Sequence, residues 1–196
     1  MRRGPGWLVG RNIVAALVGS ALLAGCACPR AGHGWRQTLN GELPALGHRN
    51  WILVADAAYP AQVSPGVETV VTGADPLEVV KAVLEAVKAS PHVRPAVYVD
   101  AEIRHVTEKQ APGIDAYRKG LNELIKGVDV RAETHETLIR RLDEAARTYR
   151  VLVLKTNLAI PYTSVFVELQ CGYWSDEAEQ QLRNIIAPSK EKKPQP

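Results

Sequence analysis

The sequence predicts an α/β fold, a three-layer sandwich in which a mostly parallel sheet is covered by helices. Short continuous apolar runs, typical of strands buried on both faces, alternate along the chain with segments whose apolar residues recur at helical spacing. Alternation of this kind indicates parallel strands joined by helices. A chain of 196 residues, 46% of them hydrophobic, is long enough for one domain with a substantial core.

Six apolar runs of strand length are predicted as strands. In chain order they are Trp51–Ala55, Val67–Thr72, Ala96–Val99, Val128–Arg131, Val151–Leu154 and Val165–Leu169. The third run comes after Pro91 and Pro95, which end the preceding helix, and it finishes at Asp100.

Four helices are predicted between and after these strands. The first begins at Asp75-Pro76, because Asp suits the N-cap position and Pro the first helical position. Its apolar residues recur on one face, namely Leu77, Val80, Val83, Leu84 and Val87. The other three are Ile114–Ile125, His135–Tyr149 with Thr134 as its candidate cap, and a short helix from near Ser175 or Asp176.

The N-terminal segment predicts export from the cytoplasm. Three arginines precede an uncharged apolar run, 13–24, that is too short to cross a bilayer. The run ends in Leu23-Ala24-Gly25-Cys26, which looks like a bacterial lipobox and implies cleavage before Cys26 and lipidation of its thiol. Acyl chains would then hold the protein at a membrane of the cell envelope. An ordinary signal peptide cut nearby, or a misassigned start, are the alternatives.

The predicted organisation is therefore a signal peptide at 1–25, a tether at 26–40, an α/β domain at 41–187 and a disordered tail at 188–196. Without the three signal arginines, 21 of the 24 basic residues remain and balance the 21 acidic ones. This neutrality argues against nucleic acid as a partner. A disulfide between Cys28 and Cys171 is possible in an oxidising compartment, but spacing cannot establish it.

Four polar residues each come just after an apolar strand run: Asp56, Asp100, His135 and Tyr162. Ligands of such sheets bind outside the carboxyl ends of the strands, so these residues are expected at one edge. His48 is the exception, since it precedes its strand, and eight extended residues span up to roughly 26 Å. Either the Gly47–Asn50 turn doubles back, or His48 meets Asp56 of a neighbouring subunit, which predicts an oligomer with sites at its interfaces.

Four short motifs connect these residues with a known family. They are Gly47-His48, Ala55-Asp56-Ala57 followed by Pro60, Thr134-His135-Glu136 and Pro161-Tyr162. In their order and rough spacing the chain resembles the D-ribose pyranase / L-fucose mutarotase family over most of residues 40–172. The resemblance implies ring-shaped oligomers, no cofactor, and interconversion of the ring forms or anomers of free monosaccharides. It implies that His48 is the catalytic acid and that Asp56, His135 and Tyr162 bind the sugar.

The chain also departs from the family pattern. Arg49-Asn50 stand where an acidic residue commonly follows Gly-His, and Asn157-Leu158 replace the usual Gly-Glu. Thr163-Ser164 follow Pro161-Tyr162 where the family usually has Ala-Asn. Ser164 would thus be a shorter sugar-binding group than asparagine, which affects the expected sugar preference and activity.

The chemistry suits an imidazole. Opening a sugar ring requires a proton delivered to the ring oxygen while another leaves the anomeric hydroxyl, and a group with a pKa near 6.5 can act in both directions. We therefore expect a cofactor-free monosaccharide isomerase with His48 as general acid. The alternative is a lipoprotein that binds a monosaccharide without turnover. A metal site at His48, Asp56 and His135 is disfavoured, because no histidines are spaced i, i+4.

Overall fold

The computed structural model describes Met1 and residues 34–186. The described residues do not include the predicted signal peptide beyond Met1, the two cysteines Cys26 and Cys28, or the tail at 188–196. Within residues 34–186, no helix has the length and apolar character needed to span a bilayer.

Strands and helices alternate along the described chain. The strands are β1 (Trp51–Ala55), β2 (Val67–Val71), β3 (Val93–Asp100), β4 (Asp129–Glu133), β5 (Val151–Lys155) and β6 (Val165–Cys171). The helices are α1 (Trp35–Glu42), α2 (Pro76–Lys88), α3 (Ile114–Leu124), α4 (His135–Ala146) and α5 (Asp176–Ile186), with 3₁₀ turns at Leu43–Ala45 and Ala101–Arg104.

The strands form one six-stranded sheet in the order β2-β5-β1-β6-β3-β4. Strand β6 is antiparallel to both of its neighbours, β1 and β3, whereas the other adjacent pairs are parallel. Val165, the first residue of β6, pairs with Val54 near the end of β1 and with Val99 near the end of β3. The loop before β6 therefore reaches the sheet edge at which β1 and β3 end.

Helices cover both faces of this sheet, which confirms the predicted three-layer sandwich. Side chains alternate between the faces, so Ile52 and Val54 pack with α2 and α3 while Trp51 and Leu53 pack with α4. All five residues of β1 are buried, as expected for a central strand covered on both sides. This burial fixes the register of β1 and hence the position of the residue that follows it.

Several elements differ from the sequence-based predictions by a few residues at their ends, such as α4, which ends at Ala146 and not at Tyr149, and two segments differ more. Residues 35–40 were assigned to the tether, but they belong to α1, whose Trp35 and Leu39 are buried in the core. Strand β3 begins at Val93 and so contains Pro95, which was expected to act as a breaker. Pro95 pairs with β6, and the pairing of β3 with β4 begins only at Ala96, so proline interrupts no hydrogen bond on that side.

Candidate functional site

Polar side chains gather at the edge of the sheet where β1, β3 and β4 end and β6 begins. They are Asp56 after β1, Asp100 at the end of β3, His135 at the start of α4, and Tyr162 and Ser164 just before β6. The predicted clustering of residues that follow strands is thus found, and the antiparallel direction of β6 adds Ser164 to it. The carboxyl ends of parallel strands are also where ligands bind in sheets of this kind.

The carboxylate of Asp56 is held by hydrogen bonds from the protein. The Ser164 hydroxyl donates to its Oδ2 at 2.9 Å, and the Ala58 amide donates to its Oδ1 at 2.7 Å. The Asp56 amide in turn donates to Ser164 Oγ at 3.2 Å. Ser164 is only 2% exposed, whereas Asp56 is half-buried. Asp56 is therefore oriented and reachable, and Ser164 supports it from below the surface.

Asp100 and His135 form a second acid–imidazole contact. Asp100 is 0% exposed, and its Oδ1 lies 3.1 Å from Nδ1 of His135. Burial raises the pKa of Asp100 to about 6, although the contact with His135 acts in the opposite direction; the carboxylates of Glu102 and Asp56 raise it further. Among the described residues nothing hydrogen-bonds Asp100 Oδ2. This carboxyl is therefore fully buried, with one oxygen in contact with His135 and the other unpaired.

Tyr162 stands beside the imidazole of His135. The two ring centroids are 5.7 Å apart and the planes are at 82°, an edge-to-face arrangement. Tyr162 has a φ of 60°, a conformation that favours glycine. The loop is held by the Tyr117 hydroxyl, which donates to the Thr163 carbonyl at 2.6 Å. Tyr162 is 36% exposed, so its ring is available at the surface next to the imidazole.

The N-terminus of α4 is capped by a residue from another element. The His135 amide donates to both carboxylate oxygens of Glu102 at 3.1 Å. Thr134 occupies the N-cap position, but its side chain makes no capping hydrogen bond and donates instead to Thr137 Oγ1 at 2.9 Å. The predicted cap by the Thr134 side chain is therefore wrong. From its position after the third strand Glu102 is a candidate for the pocket lining, but the sequence does not predict its capping role, because the contact with α4 depends on tertiary structure.

His48 lies away from this cluster within one subunit. It is exposed in the turn before β1, and its neighbour Arg49 donates its amide to the carbonyl of Leu169 near the end of β6. The turn is closed locally, since the Asn50 amide donates to the Gly47 carbonyl at 3.1 Å. Strand β1 then separates Asn50 from Asp56 by six residues, about 20 Å at the usual strand rise. The turn thus does not bring His48 back to Asp56, and the two residues lie at opposite ends of β1.

Across residues 34–186, no three His, Cys, Asp or Glu side chains come together in a way that could hold a metal ion. His135 also borders an open depression of about 520 Å³ along α4, whose other lining residues include both acidic and basic side chains. The depression shares only His135 with the cluster.

Comparisons with known proteins show the fold. No family model matches this sequence, and no curated protein matches it significantly. RbsD of Bacillus subtilis, solved with D-ribose, aligns with a TM-score of 0.51 and 17% identity over 71% of this chain and 95% of its own. FucU of Bifidobacterium longum aligns with a TM-score of 0.47 and 16% identity, over 67% of this chain and 92% of its own. The fucose mutarotase of Streptococcus pneumoniae, solved with L-fucose, aligns with a TM-score of 0.43 and 17% identity, over 67% of this chain and 87% of its own. The alignment with RbsD supports the sequence resemblance at the level of the fold.

Proposed function

We propose that this protein is a cofactor-free isomerase that interconverts the ring forms or anomers of a free monosaccharide. The observation that carries the proposal is the grouping of Asp56, His135 and Tyr162 at one sheet edge. This grouping occurs in a fold shared with a protein solved in complex with D-ribose. The three residues are also those to which the sequence resemblance gives a sugar-binding role.

Each residue of the group suits a part of a sugar. Asp56 offers acceptor oxygens for sugar hydroxyls, and the hydrogen bonds from Ser164 and Ala58 hold those oxygens in place before any ligand arrives. Tyr162 presents an exposed ring that can pack on an apolar sugar face and a hydroxyl that can donate to the sugar. The imidazole of His135 offers ring nitrogens that can donate or accept hydrogen bonds with a sugar hydroxyl.

We further propose that His48 comes from a neighbouring subunit and acts as the general acid. Its exposure makes it available to a second copy, and the length of β1 keeps it from the cluster of its own subunit. A homo-oligomer with sites at its interfaces would supply both proton positions that ring opening requires. Outside the described residues, we propose that Cys26 is lipidated and that the protein is anchored in the bacterial cell envelope.

Saturation-transfer NMR on equilibrated sugars tests the enzyme directly. The protein is expected to accelerate the exchange between ring forms or anomers of at least one of ribose, fucose, galactose or glucose. His48→Ala should abolish that acceleration and leave the free energy of unfolding within about 0.5 kcal/mol of the original, because the side chain is exposed. His105→Ala removes another exposed histidine and is the matched control. No acceleration with any of these sugars would refute the proposal.

Mixing two inactive variants tests the shared site. His48→Ala and Asp56→Asn subunits should each be inactive alone. Unfolded and refolded together, they should recover about a quarter of the original rate, because random assembly leaves that share of interfaces with both native residues. A mixture that stays inactive while it co-assembles would contradict a site formed by His48 and Asp56 of different subunits.

A second candidate function is the binding of a monosaccharide without turnover. The observation that favours it is the replacement of the usual Asn by Ser164, whose hydroxyl is buried and already shared with Asp56. Calorimetric binding of a sugar together with an unchanged exchange rate would select this function over the isomerase.

A further inference from the structure

We propose that Asp100 is a positioning residue of this site, which fixes the proton of the neutral His135 imidazole on Nδ1 and leaves Nε2 as an acceptor for the anomeric hydroxyl. The inference rests on the proposed function and adds to it a residue to which neither the motifs nor the family resemblance gives a role. It identifies the group that takes up the second proton during ring opening.

The contact geometry determines the tautomer. Asp100 Oδ1 and His135 Nδ1 are 3.1 Å apart, and an ionised carboxylate can only accept a hydrogen bond. Nδ1 of a neutral imidazole must then carry the proton, so that Nε2 keeps its lone pair. The side chain of His135 is 37% exposed, so the ring can reach a bound molecule while its other nitrogen is engaged with Asp100.

Burial excludes a direct contact between Asp100 and the sugar. Its side chain is fully buried, and Oδ2 is also inaccessible, so a hydroxyl of a ligand cannot reach either oxygen in this arrangement. A buried carboxylate with one unpaired oxygen is costly, and an apolar residue is usually the more stable choice in such a place. Asp100 follows Val97, Tyr98 and Val99, which are buried in the same strand. A role that acts through His135 explains why this strand ends in a charge.

The imidazole is held at two points. Asp100 orients the ring, and Glu102, two residues later, accepts the His135 amide with both oxygens. The ionisable groups around the pair are Asp56 after β1, Glu102 in the 3₁₀ turn, Tyr117 of α3 and Tyr162 before β6. Both the backbone and the side chain of His135 are therefore fixed from one short segment, 100–102.

Ring opening can then proceed by two proton transfers, one to His135 and one from His48. Nε2 of His135 takes the proton of the anomeric hydroxyl, and the electrons of that O–H bond form the carbonyl. The bond between the anomeric carbon and the ring oxygen breaks, and the ring oxygen takes a proton from the imidazolium of His48. Reclosure on either face, or through another hydroxyl, runs the same transfers in reverse and restores both histidines.

Nitrogen-15 NMR of the whole protein reads the tautomer without any need for activity. At pH 8 the wild-type His135 signal, assigned by its loss in His135→Gln, should show a protonated Nδ1 and an unprotonated Nε2. Protonation on Nε2 would overturn the proposal. This readout separates the two proposals, because the tautomer can be correct even if no sugar is isomerised.

The kinetic arm uses Asp100→Asn, with Asp129→Asn at an exposed carboxylate as the matched control. We expect Asp100→Asn to mix the tautomers and lower kcat about 10- to 100-fold, with KM changed much less, by analogy with other partners that orient a histidine. The pH profile of kcat should shift as well, whereas the control should keep the original profile. A folded Asp100→Asn protein with kcat within twofold of the original and an unchanged tautomer would overturn the positioning role. If that variant does not fold, the nitrogen-15 measurement of the His135 tautomer in the wild-type protein decides whether Asp100 has the positioning role.

Discussion

Replacing Asp100 by Asn should change how the free energy of unfolding depends on pH. Burial raises the pKa of Asp100 to about 6 in the folded protein, whereas an unfolded chain has an aspartate pKa of about 3.9. Between these values the folded state binds more protons than the unfolded state. Linkage then requires stability to fall as pH rises through this window. The loss begins near pH 3, is complete near pH 7, and is absent when position 100 carries a neutral amide.

The size of the effect follows from the two pKa values. They differ by about two pH units, and each unit corresponds to about 1.4 kcal/mol, so the contribution is about 3 kcal/mol. The contact with His135 lowers the pKa of Asp100, and the value of about 6 already includes this effect. The figure of about 3 kcal/mol therefore needs no separate correction for that hydrogen bond.

Urea unfolding followed by tryptophan fluorescence measures this contribution, since Trp35 and Trp51 are both buried. The difference in unfolding free energy between wild type and Asp100→Asn, taken at each pH from 4 to 8, cancels the titration of the groups that do not contact position 100. Relative to the variant, the wild type should lose about 2 kcal/mol between pH 4 and pH 7, because the first part of the loss falls below pH 4. Asp143→Asn, at an exposed position of α4, controls for the loss of one carboxylate. A difference that stays constant over this range, or rises with pH, would refute the reasoning.

Three further substitutions test the structure around the site. Gly66→Ala should lower the unfolding free energy by about 2 kcal/mol, because the added methyl would lie under 3.0 Å from two main-chain carbonyl oxygens. Gly47→Ala is the control and should lower it much less, because a methyl there meets nothing within 4 Å. Glu102→Ala should lower the free energy of unfolding in urea by about 1 kcal/mol, and Thr134→Ala should lower it less. Equal losses for the two variants would contradict capping by Glu102. Ser164→Ala removes both hydrogen bonds that join it to Asp56, so it should cost about 1–2 kcal/mol and slow sugar exchange in the NMR assay; an unchanged rate would contradict that support.

Much of the sheet could be predicted because its signals are local. The apolar runs that became β1, β5 and β6 are buried on both faces, so their composition alone indicates strands. The start of α2 was equally readable, and Asp75 does accept hydrogen bonds from the amides of Leu77 and Glu78. These features depend on neighbours within a few residues of one another.

The features that were missed depend on distant contacts. Helix α1 contains glycine and asparagine and resembles a tether, yet burial of Trp35 and Leu39 stabilises it. Glu102 replaces Thr134 as the cap only because the end of β3 lies beside the start of α4. Asp100 did carry a readable signal, a charge at the end of a buried strand, but its partner His135 is 35 residues away.

The direction of β6 explains why all the proposed site residues except His48 lie at one edge of the sheet. In a wholly parallel sheet this edge would receive only residues that follow strands, such as Asp56. Because β6 is antiparallel and lies between β1 and β3, the loop before it enters at the same edge, between Asp56 and Asp100, with Tyr162 and Ser164. The same topology leaves whatever precedes β1 at the opposite edge. A histidine in that position can serve this cluster only from a second copy, so the proposed catalysis requires assembly.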